Sequence, residues 1–179
     1  MLSVAAFEDG IWAQAFPSFG SERMGAPVTA FCRLDEREIR NREPVSAPDA
    51  LIVQDPTLLH QIKVFEGLAP TGYVLINSVR SPGELGISEL LETLPPGHTR
   101  TIAATEIAMR VVGRPVPNAA LLGALCAMTG RVKLASIEKA IGRKFKGEVG
   151  DRNVAAAREA YELCGGAITK GAARDAQAV

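Results

Sequence analysis

The sequence contains few of the residues that build metal and redox centres. Among its 179 residues are three cysteines and two histidines, His60 and His98. The cysteines Cys32, Cys126 and Cys164 are far apart in the chain and form no C-x-x-C pair. A four-iron cluster needs four thiolates, usually from closely spaced motifs, so this chain cannot hold one alone. A structural zinc site is poorly supported as well, and we interpret the thiols as buried or idle.

An excess of charge and a long apolar run are also lacking. Lysine plus arginine and aspartate plus glutamate each number 20, so the formal net charge is zero. A balanced charge provides no long-range attraction to nucleic acid or to an anionic membrane. No run of about 18 apolar residues predicts a transmembrane helix, and the apolar start at Met1–Phe7 is too short for a signal peptide. We therefore expect a cytoplasmic protein that binds neither nucleic acid nor membrane.

Motifs that carry chemistry on a single chain are absent too. The sequence has no G-x-G-x-x-G or G-x-x-x-x-G-K-[ST] phosphate loop. It has no G-D-G motif followed by the Asn of a thiamine diphosphate site, no nucleophile elbow and no H-E-x-x-H. His60 follows two leucines in a predicted helix, so we interpret it as a surface or core residue. His98 follows two prolines in a loop, so we interpret it as a solvated residue. The residues by themselves do not indicate an enzyme that is active alone.

What the sequence does contain is an α/β pattern. The ALIV and YVLI runs are continuous rather than alternating, which is typical of parallel strands covered by helices on both faces. The predicted strands alternate with helices, and three helices then follow in a row, as in a parallel α/β sheet with a helical C-terminal half. We expect one domain over residues 1–179, with a tail at 166–179. The predicted strands are Trp12–Phe16, Val28–Arg33, Ala50–Val53, Tyr73–Asn77 and a fifth candidate, Thr101–Ala103. The predicted helices are Thr57–Gly67, Ser88–Leu94, Glu106–Val112, Ala119–Met128, Ile137–Phe145 and Arg152–Cys164, with Met1–Phe7 as the last turns of another.

Four of these helices begin after a residue that favours the N-cap position. Asp55 precedes Pro56, and Thr105, Asn118 and Ser136 precede the three later helices. The short polar side chains of these residues can accept hydrogen bonds from the first free N–H groups of a helix. We therefore expect all four to act as caps.

The most informative segment is the string AFPSFGSERMGAPV at 15–28, between the first two predicted strands. Its glycines let the backbone approach a ligand closely, and its arginine offers planar, bidentate binding to phosphate or carboxylate. The serines add short hydroxyl donors, and two phenylalanine rings can wall a dry pocket. On the residues alone, a ligand site and a tight turn with a surface Arg–Glu pair are equally good interpretations. The residues concerned are Phe16, Ser18, Phe19, Gly20, Ser21, Glu22, Arg23 and Gly25.

This string resembles a stretch of the gamma subunits of the pyruvate:ferredoxin / 2-oxoacid:acceptor oxidoreductase family, A-F-P-S-F-G-x-E-R-R-G-A-P-V. One position departs from it, because Met24 stands where a second arginine is common. The resemblance continues through IRNR at 39–42, DALIVQDPTLL at 49–59 and NAALLGAL at 118–125, and through the helices that end near Tyr161. It spans about residues 1–165, and it is specific because several motifs recur in the right order.

The resemblance implies a Rossmann-like, mostly parallel sheet flanked by helices, with a helical C-terminal half. Members of the family begin with a strand and a G-R-G-G-Q-G loop, and neither is found in this sequence. Met1 corresponds to a position inside their first helix. We favour a start codon assigned too late over a true truncation, because loss of the strand would leave a sheet edge and apolar faces open.

The resemblance also implies a function. The family catalyses oxidative decarboxylation, in which a 2-oxo acid and CoA give an acyl-CoA, carbon dioxide and two electrons. Thiamine diphosphate with magnesium lies between the alpha and beta subunits, and the 4Fe-4S clusters lie in beta or in a ferredoxin-like delta subunit. The gamma chain contributes to CoA binding and is expected to bind no cofactor alone. Ferredoxin, or NAD through a flavin subunit, accepts the electrons.

Carried over position by position, Arg23 corresponds to a basic residue near CoA, and Asn118 corresponds to another CoA neighbour at a helix N-terminus. Ser21 and Arg114 are added because they are close to these two in sequence. Since Met24 replaces a polar or basic residue, one phosphate contact is expected to be lost. The expected interface and active-site lid comprises Phe16, Ser18, Phe19, Glu22, Arg40 and Arg42, with a solvated surface as the alternative for the two arginines.

Rival interpretations stay open at this stage. The chain can be a structural scaffold that holds alpha to beta, or a stand-alone CoA- or nucleotide-binding module. An indolepyruvate-type gamma half is a third alternative, although the A-F-P-S-F-G-x-E-R form favours the pyruvate-type branch. The 2-oxo acid itself is open among pyruvate, another aliphatic acid and an aryl acid such as phenylglyoxylate.

Overall fold

The computed structural model describes residues 1–18 and 27–166, which form two small sheets and a helical C-terminal half. The described strands are β1 Trp12–Ser18, β2 Thr29–Asp35, β3 Ala50–Val53, β4 Tyr73–Asn77 and β5 Thr99–Ile102. The described helices are α1 Leu2–Glu8, α2 Ser88–Leu91, α3 Ala104–Val111, α4 Asn118–Thr129, α5 Leu134–Lys144 and α6 Gly147–Leu163. A 3₁₀ helix covers Pro56–His60.

A parallel three-stranded sheet in the order β3-β4-β5 forms the centre of the fold. The central strand β4 is apolar throughout its middle, and Val74, Leu75 and Ile76 are completely buried. Because side chains alternate along a strand, Leu75 packs with α3, α4 and α6, whereas Val74 and Ile76 pack with Leu85 and its neighbours on the opposite face. The expectation of parallel strands is confirmed. Coverage on both faces is confirmed for β4, whereas Ile52 on the edge strand β3 is 38% exposed.

The helical half is built around α4, which is apolar on nearly every side and therefore packs as a central helix. It lies closest to α6 at Gly123, where a Cβ atom would collide with the carbonyl group of Ala157. Ion pairs at the surface tie α6 to its other neighbours, from Arg110 on α3 to Glu159 and from Arg158 to Glu138 on α5. None of the described helices is long and apolar enough to cross a membrane.

The first two strands differ from the parallel sheet. β1 and β2 form a separate antiparallel hairpin, in which Trp12 lies opposite Asp35 and Ser18 lies opposite Thr29. Helix α1, predicted from its apolar start, packs against α5 and against this hairpin. Among the described strands, β3, β4 and β5 are therefore parallel, and only β1 and β2 pair antiparallel. This agrees with a mostly parallel α/β protein.

The predicted helix at Thr57–Gly67 is wrong. The chain forms a 3₁₀ helix at Pro56–His60 and then turns, and Gly67 adopts a positive φ of 78° that a helix interior excludes. The cap was predicted correctly, because Asp55 accepts the N–H of Thr57 at 2.9 Å. Leu59 and Phe65 of this stretch contact the small cluster around Val53 instead of forming one helical face.

Three of the four expected caps are wrong. Thr105, Asn118 and Ser136 lie inside the first turn of α3, α4 and α5 rather than before it. Two of these side chains form hydrogen bonds with residues that are remote in sequence. Thr105 Oγ1 accepts from Asn77 Nδ2 at 2.8 Å, and Ser136 Oγ donates to Asp9 Oδ1 at 2.6 Å. Helix α6 also begins earlier than expected, at Gly147.

Candidate functional site

The hairpin of β1 and β2 carries the segment singled out in the sequence. Phe16 and Ser18 lie on β1, and the register that pairs Ser18 with Thr29 places both ends of the connecting stretch side by side. Phe19, Ser21, Glu22 and Arg23 lie outside the described residues. The structure therefore describes the two strands that lead to and from Arg23, but not the arginine itself.

One face of the hairpin is aromatic and points away from the core. Trp12, Phe16 and Phe31 share this face, because cross-strand partners project to the same side of a sheet. The rings of Phe16 and Phe31 pack with centroids 5.5 Å apart, and Trp12 is 51% exposed. None of these three rings belongs to the buried core clusters of the described residues. Large apolar side chains on an outer face are typical of an interaction surface.

Arg33 organises this aromatic face. Its guanidinium lies 5.8 Å from the Phe16 ring centroid, within the range of a cation–π contact. It donates to Gln14 Oε1 at 3.5 Å and to the carbonyl oxygen of Pro44 at 3.3 Å. Sequence reasoning missed Arg33 and Gln14. Their signal was the two-residue alternation that places Arg33 on the same side of its strand as Phe31.

The opposite face of the hairpin is turned toward the helices. Ala13 and Leu34 pack against the cluster formed by α1 and α5, and Cys32 lies on the same side. Burial raises the pKa of the Cys32 thiol, opposed by the nearby N-terminal ammonium group. Burial also raises the pKa of Cys126 to about 11 and raises that of Cys164. All three thiols are therefore protonated near neutral pH and are weak nucleophiles and ligands.

A second group of predicted residues lies at the start of α4. Asn118 is the first residue of the helix, its side chain is exposed, and it makes no capping hydrogen bond. The first intrahelical bond runs from the N–H of Leu121 to the carbonyl of Pro117, at 2.9 Å. The N–H groups of residues 118–120 thus have no acceptor within the helix, and the positive end of the helix dipole favours an anion there. Arg114, exposed in the preceding loop, adds a cation beside this end.

Within residues 1–18 and 27–166, no hydrogen bond joins the two groups, since none links Asn118 or Arg114 to the hairpin. Arg40 pairs with Glu38 at 3.0 Å, with both side chains exposed, and Arg42 is exposed as well. A surface pair of this kind contributes little stability, so these arginines are available to a partner or to solvent.

The chain is similar to known proteins over most of its length. Residues 1–163 match the family model described as "Pyruvate ferredoxin/flavodoxin oxidoreductase". The chain belongs to this family. It is 46% identical to the Pyruvate/ketoisovalerate oxidoreductases common subunit gamma of Pyrococcus furiosus, over 90% of this chain and 86% of that protein. It is also 46% identical to the Pyruvate synthase subunit PorC of Methanocaldococcus jannaschii, over 90% of this chain and 85% of that protein.

A solved structure shows the same fold. The pyruvate oxidoreductase subunit PORC of Thermotoga maritima superposes with a TM-score of 0.73 at 38% identity, covering 90% of this chain and 84% of that one. The expected family, the α/β fold and the gamma-type subunit of a 2-oxoacid oxidoreductase are confirmed by these relatives. The comparisons do not test the individual site residues, which stay predictions.

Proposed function

We propose that this chain, as the gamma-type subunit of a CoA-acylating 2-oxoacid:acceptor oxidoreductase complex, contributes to CoA binding and to assembly. The observation that carries the CoA part is the start of α4, where exposed Asn118, exposed Arg114 and free helical N–H groups concentrate positive potential. The phosphates of CoA are anions that such a helix end favours. Arg23, by resemblance to the family, and Ser21, because it is close to Arg23 in sequence, complete the proposed site on the connection between β1 and β2.

The redox groups of the complex are expected in its other subunits. Within the described residues, no three His, Cys, Asp or Glu side chains are placed to hold a metal ion, and the pKa of each thiol is raised by burial. This donor set does not fit an iron–sulfur cluster, which needs deprotonated thiolates. By resemblance to the family, we propose that thiamine diphosphate with magnesium lies between the alpha and beta subunits and that the 4Fe-4S clusters lie in beta or delta.

The aromatic face of the hairpin supports the assembly part of the proposal. Exposed Trp12 and the Phe16–Phe31 pair present apolar area that the core of this chain does not cover. Removing such area from water is favourable by about 25 cal/mol per Å² before the entropic cost of association is subtracted. We propose that alpha or beta covers this face, and that Arg40 and Arg42 lie at the rim of that contact.

The CoA assignment is tested by steady-state kinetics of the assembled complex. We expect Arg23→Ala to raise the KM for CoA and to leave the KM for the 2-oxo acid nearly unchanged. Loss of a charge-assisted hydrogen bond costs about 1.5–3 kcal/mol, which corresponds to about a 10- to 150-fold change. Arg37→Ala, which removes an exposed arginine outside the proposed CoA site, is the control. An unchanged KM for CoA removes Arg23 from the site.

The rival interpretations give different results in simple experiments. A pure scaffold tolerates Arg23→Ala and Asn118→Ala without kinetic effect, and a stand-alone module binds CoA as an isolated chain in calorimetry. Gel filtration of the lone chain addresses assembly, because we expect aggregation or poor solubility from the uncovered aromatic face. A stable, well-behaved monomer argues against that expectation.

For the substrate and the electron acceptor, we propose a chemical class and not a single molecule. We propose pyruvate or a related aliphatic or aryl 2-oxo acid as substrate, ferredoxin or an NAD-linked flavin subunit as acceptor, and a cytoplasmic location. Activity assays of the purified complex with each acid and acceptor separate these choices. The neighbouring open reading frames provide a second test, because frames for alpha, beta and delta should flank this one.

A further inference from the structure

A surface groove runs between α1 and the last turns of α5, which pack against each other. The groove has a volume of about 350 Å³ and is lined by Met1, Val4, Ala140, Arg143 and Lys144. Ala140 is buried and forms its base, whereas the two cationic side chains are exposed at its rim. The groove is therefore apolar at the bottom and positively charged along one side.

The apolar part of this groove continues along the outer side of α1. Val4 is 40% exposed, and Phe7, one helical turn further on and on the same side of the helix, is 72% exposed. Ala5 and Ala6 are buried against the rest of the chain and hold α1 in place. Two large apolar side chains that lie next to each other on a packed helix are typical of an interaction surface.

The charge around the groove is in excess of what this chain can neutralise. Lys139, Lys144 and Lys146 are exposed on α5 or just after it. The carboxylates carried by the two helices, Glu8 on α1 and Glu138 on α5, each pair with an arginine. Within residues 1–18 and 27–166, Lys144 forms no ion pair. The chain as a whole has a formal net charge of zero, so this positive region is local.

We propose that the groove binds an acidic segment of another subunit of the oxidoreductase complex. An apolar side chain of that segment packs against Val4 and Phe7, and its carboxylates face Lys144 and the neighbouring lysines. The inference rests on the proposed function, in which this chain assembles with other subunits. Complementary charges fix the register of two proteins and suppress wrong partners, and an apolar anchor surrounded by polar groups is the usual centre of a subunit contact.

Two other polyanions suit this surface less well than an acidic protein segment. A chain of zero net charge does not attract nucleic acid over a long range. A membrane-surface helix needs a large apolar face, whereas α1 has seven residues and exposes two large apolar side chains, Val4 and Phe7. Both alternatives are outcomes of the experiments below.

The first test is zero-length carbodiimide cross-linking of the purified complex, which joins a lysine amine to a carboxylate in direct contact with it. We expect mass spectrometry to find Lys144, or its neighbours Lys139 and Lys146, joined to an Asp or Glu of another subunit. Lys144→Arg keeps the charge but has no amine to cross-link, so the Lys144 product should disappear while the complex still assembles. A cross-link to a second copy of this chain overturns the inference. Full reactivity of Lys144 with an amine reagent in the assembled complex overturns it as well.

The second test measures how tightly the variant chain is retained in the complex, from the concentration dependence of gel filtration. Lys144→Glu should weaken retention by at least about 10-fold at low salt, because like charges then face each other. This difference should shrink as salt is raised, since salt screens exposed charges. Phe7→Gln should weaken retention by about 5-fold or more at any salt concentration, because it removes the apolar anchor. Both side chains are exposed, so neither change disturbs the core.

Matched controls change residues of the same kind elsewhere on the surface. Lys63→Glu reverses an exposed charge outside the groove, and Val149→Gln replaces an apolar side chain that is 54% exposed on α6. Both controls should be retained as the unaltered chain is. Equal losses in controls and groove variants overturn the inference, and so does a Lys144 that becomes reactive only after nuclease or detergent treatment.

Failure of the inference can be told apart from failure of the proposed function. If the unaltered chain forms no complex with other subunits, the assembly part of the proposed function fails, and the inference fails with it. If the complex forms but Lys144 stays accessible and Lys144→Glu is retained normally, the inference alone is overturned.

Discussion

Asn77 and Thr105 exchange two hydrogen bonds at the carboxyl end of the parallel sheet. Asn77 Nδ2 donates to Thr105 Oγ1 at 2.8 Å, and the N–H of Thr105 donates to Asn77 Oδ1 at 3.1 Å. The same Nδ2 donates to the carbonyl oxygen of Gln54, at 2.9 Å. One buried amide thereby joins the ends of β3 and β4 to the first turn of α3, with both its donors and its acceptor satisfied.

Replacing Asn77 should loosen this edge of the sheet. In Asn77→Ala, the N–H of Thr105 and the carbonyl of Gln54 lose their partner in a partly buried site. A buried polar group left unsatisfied costs about 1–3 kcal/mol, and the exposed position of Gln54 lowers that cost for its carbonyl. Hydrogen–deuterium exchange in the purified complex should show faster exchange in peptides covering β4 and α3. Asn41→Ala, at an exposed position, is the control and should leave these peptides unchanged. Equal protection in Asn77→Ala and the unaltered protein contradicts the prediction.

The contact between α4 and α6 should not tolerate a larger residue at Gly123. A Cβ atom there meets the carbonyl group of Ala157, so Gly123→Ala has to push two central helices apart, at a cost of about 1–3 kcal/mol. Gly142→Ala on α5 is a matched control, because a Cβ there meets nothing within 4 Å. The control should stabilise its helix by about 0.5–1 kcal/mol. Melting temperatures of the two variants should therefore shift in opposite directions.

Asp9 caps α5 from a distant part of the chain. Its carboxylate accepts the N–H of Lys133 at 2.7 Å and the hydroxyl of Ser136 at 2.6 Å. Asp9→Ala should cost about 0.5–2 kcal/mol, as loss of a helix cap does, and hydrogen exchange should accelerate at the start of α5. Asp9→Asn, which keeps one acceptor oxygen, should show a smaller change. An unchanged rate in Asp9→Ala would show that the helix start has another acceptor.

The CoA role of Asn118 can be separated from a structural role by a single substitution. Asn118→Asp places a negative charge in the first turn of α4, which stabilises a helix by about 0.3–1 kcal/mol. The same charge repels the phosphates of CoA. We expect thermal stability to hold or rise while the affinity of the complex for CoA falls, as measured by calorimetry. If CoA affinity is unchanged in an assembled complex, Asn118 does not face the phosphates.

The buried thiol of Cys126 should make stability fall in alkaline solution. Burial raises the pKa of Cys126 to about 11, above the value of about 8.5 of a free thiol. The folded state thus holds this proton more tightly than the unfolded state. The resulting stability is complete below about pH 8.5 and is lost as the pH rises toward 11. Chemical denaturation of the full chain across this range should show a steeper decline than in Cys126→Ser, whose hydroxyl does not ionise there.

The strands and the family could be predicted from the sequence. The continuous apolar runs of β3 and β4 predict parallel strands because strands covered by helices on both faces carry apolar side chains on both, and hydrophobicity is a property of each side chain. The string at 15–28 and the motifs that follow it along the chain predicted the family, because they occur in the expected order.

The helix caps show where local signals fail. Thr105 and Ser136 have the side chains that favour a cap, but each bonds to a residue that is remote in sequence, Asn77 or Asp9. The preference of Ser or Thr for the N-cap position contributes about 1 kcal/mol to stability. A buried hydrogen bond to a remote residue contributes as much or more. The role of Arg33 escaped the sequence for a similar reason, since its partners Gln14 and Pro44 are 19 and 11 residues away.

The sequence by itself determined the α/β class and the family, because the hydrophobic pattern and the order of the motifs can be read directly along the chain. Only the tertiary structure decided that the first two strands pair antiparallel, that Asn77 and Asp9 hold distant helix starts, and that an arginine orders the aromatic face. Those outcomes depend on which groups meet in space after the chain has folded, and pairwise hydrogen bonds between remote segments leave no periodic trace in the order of residues.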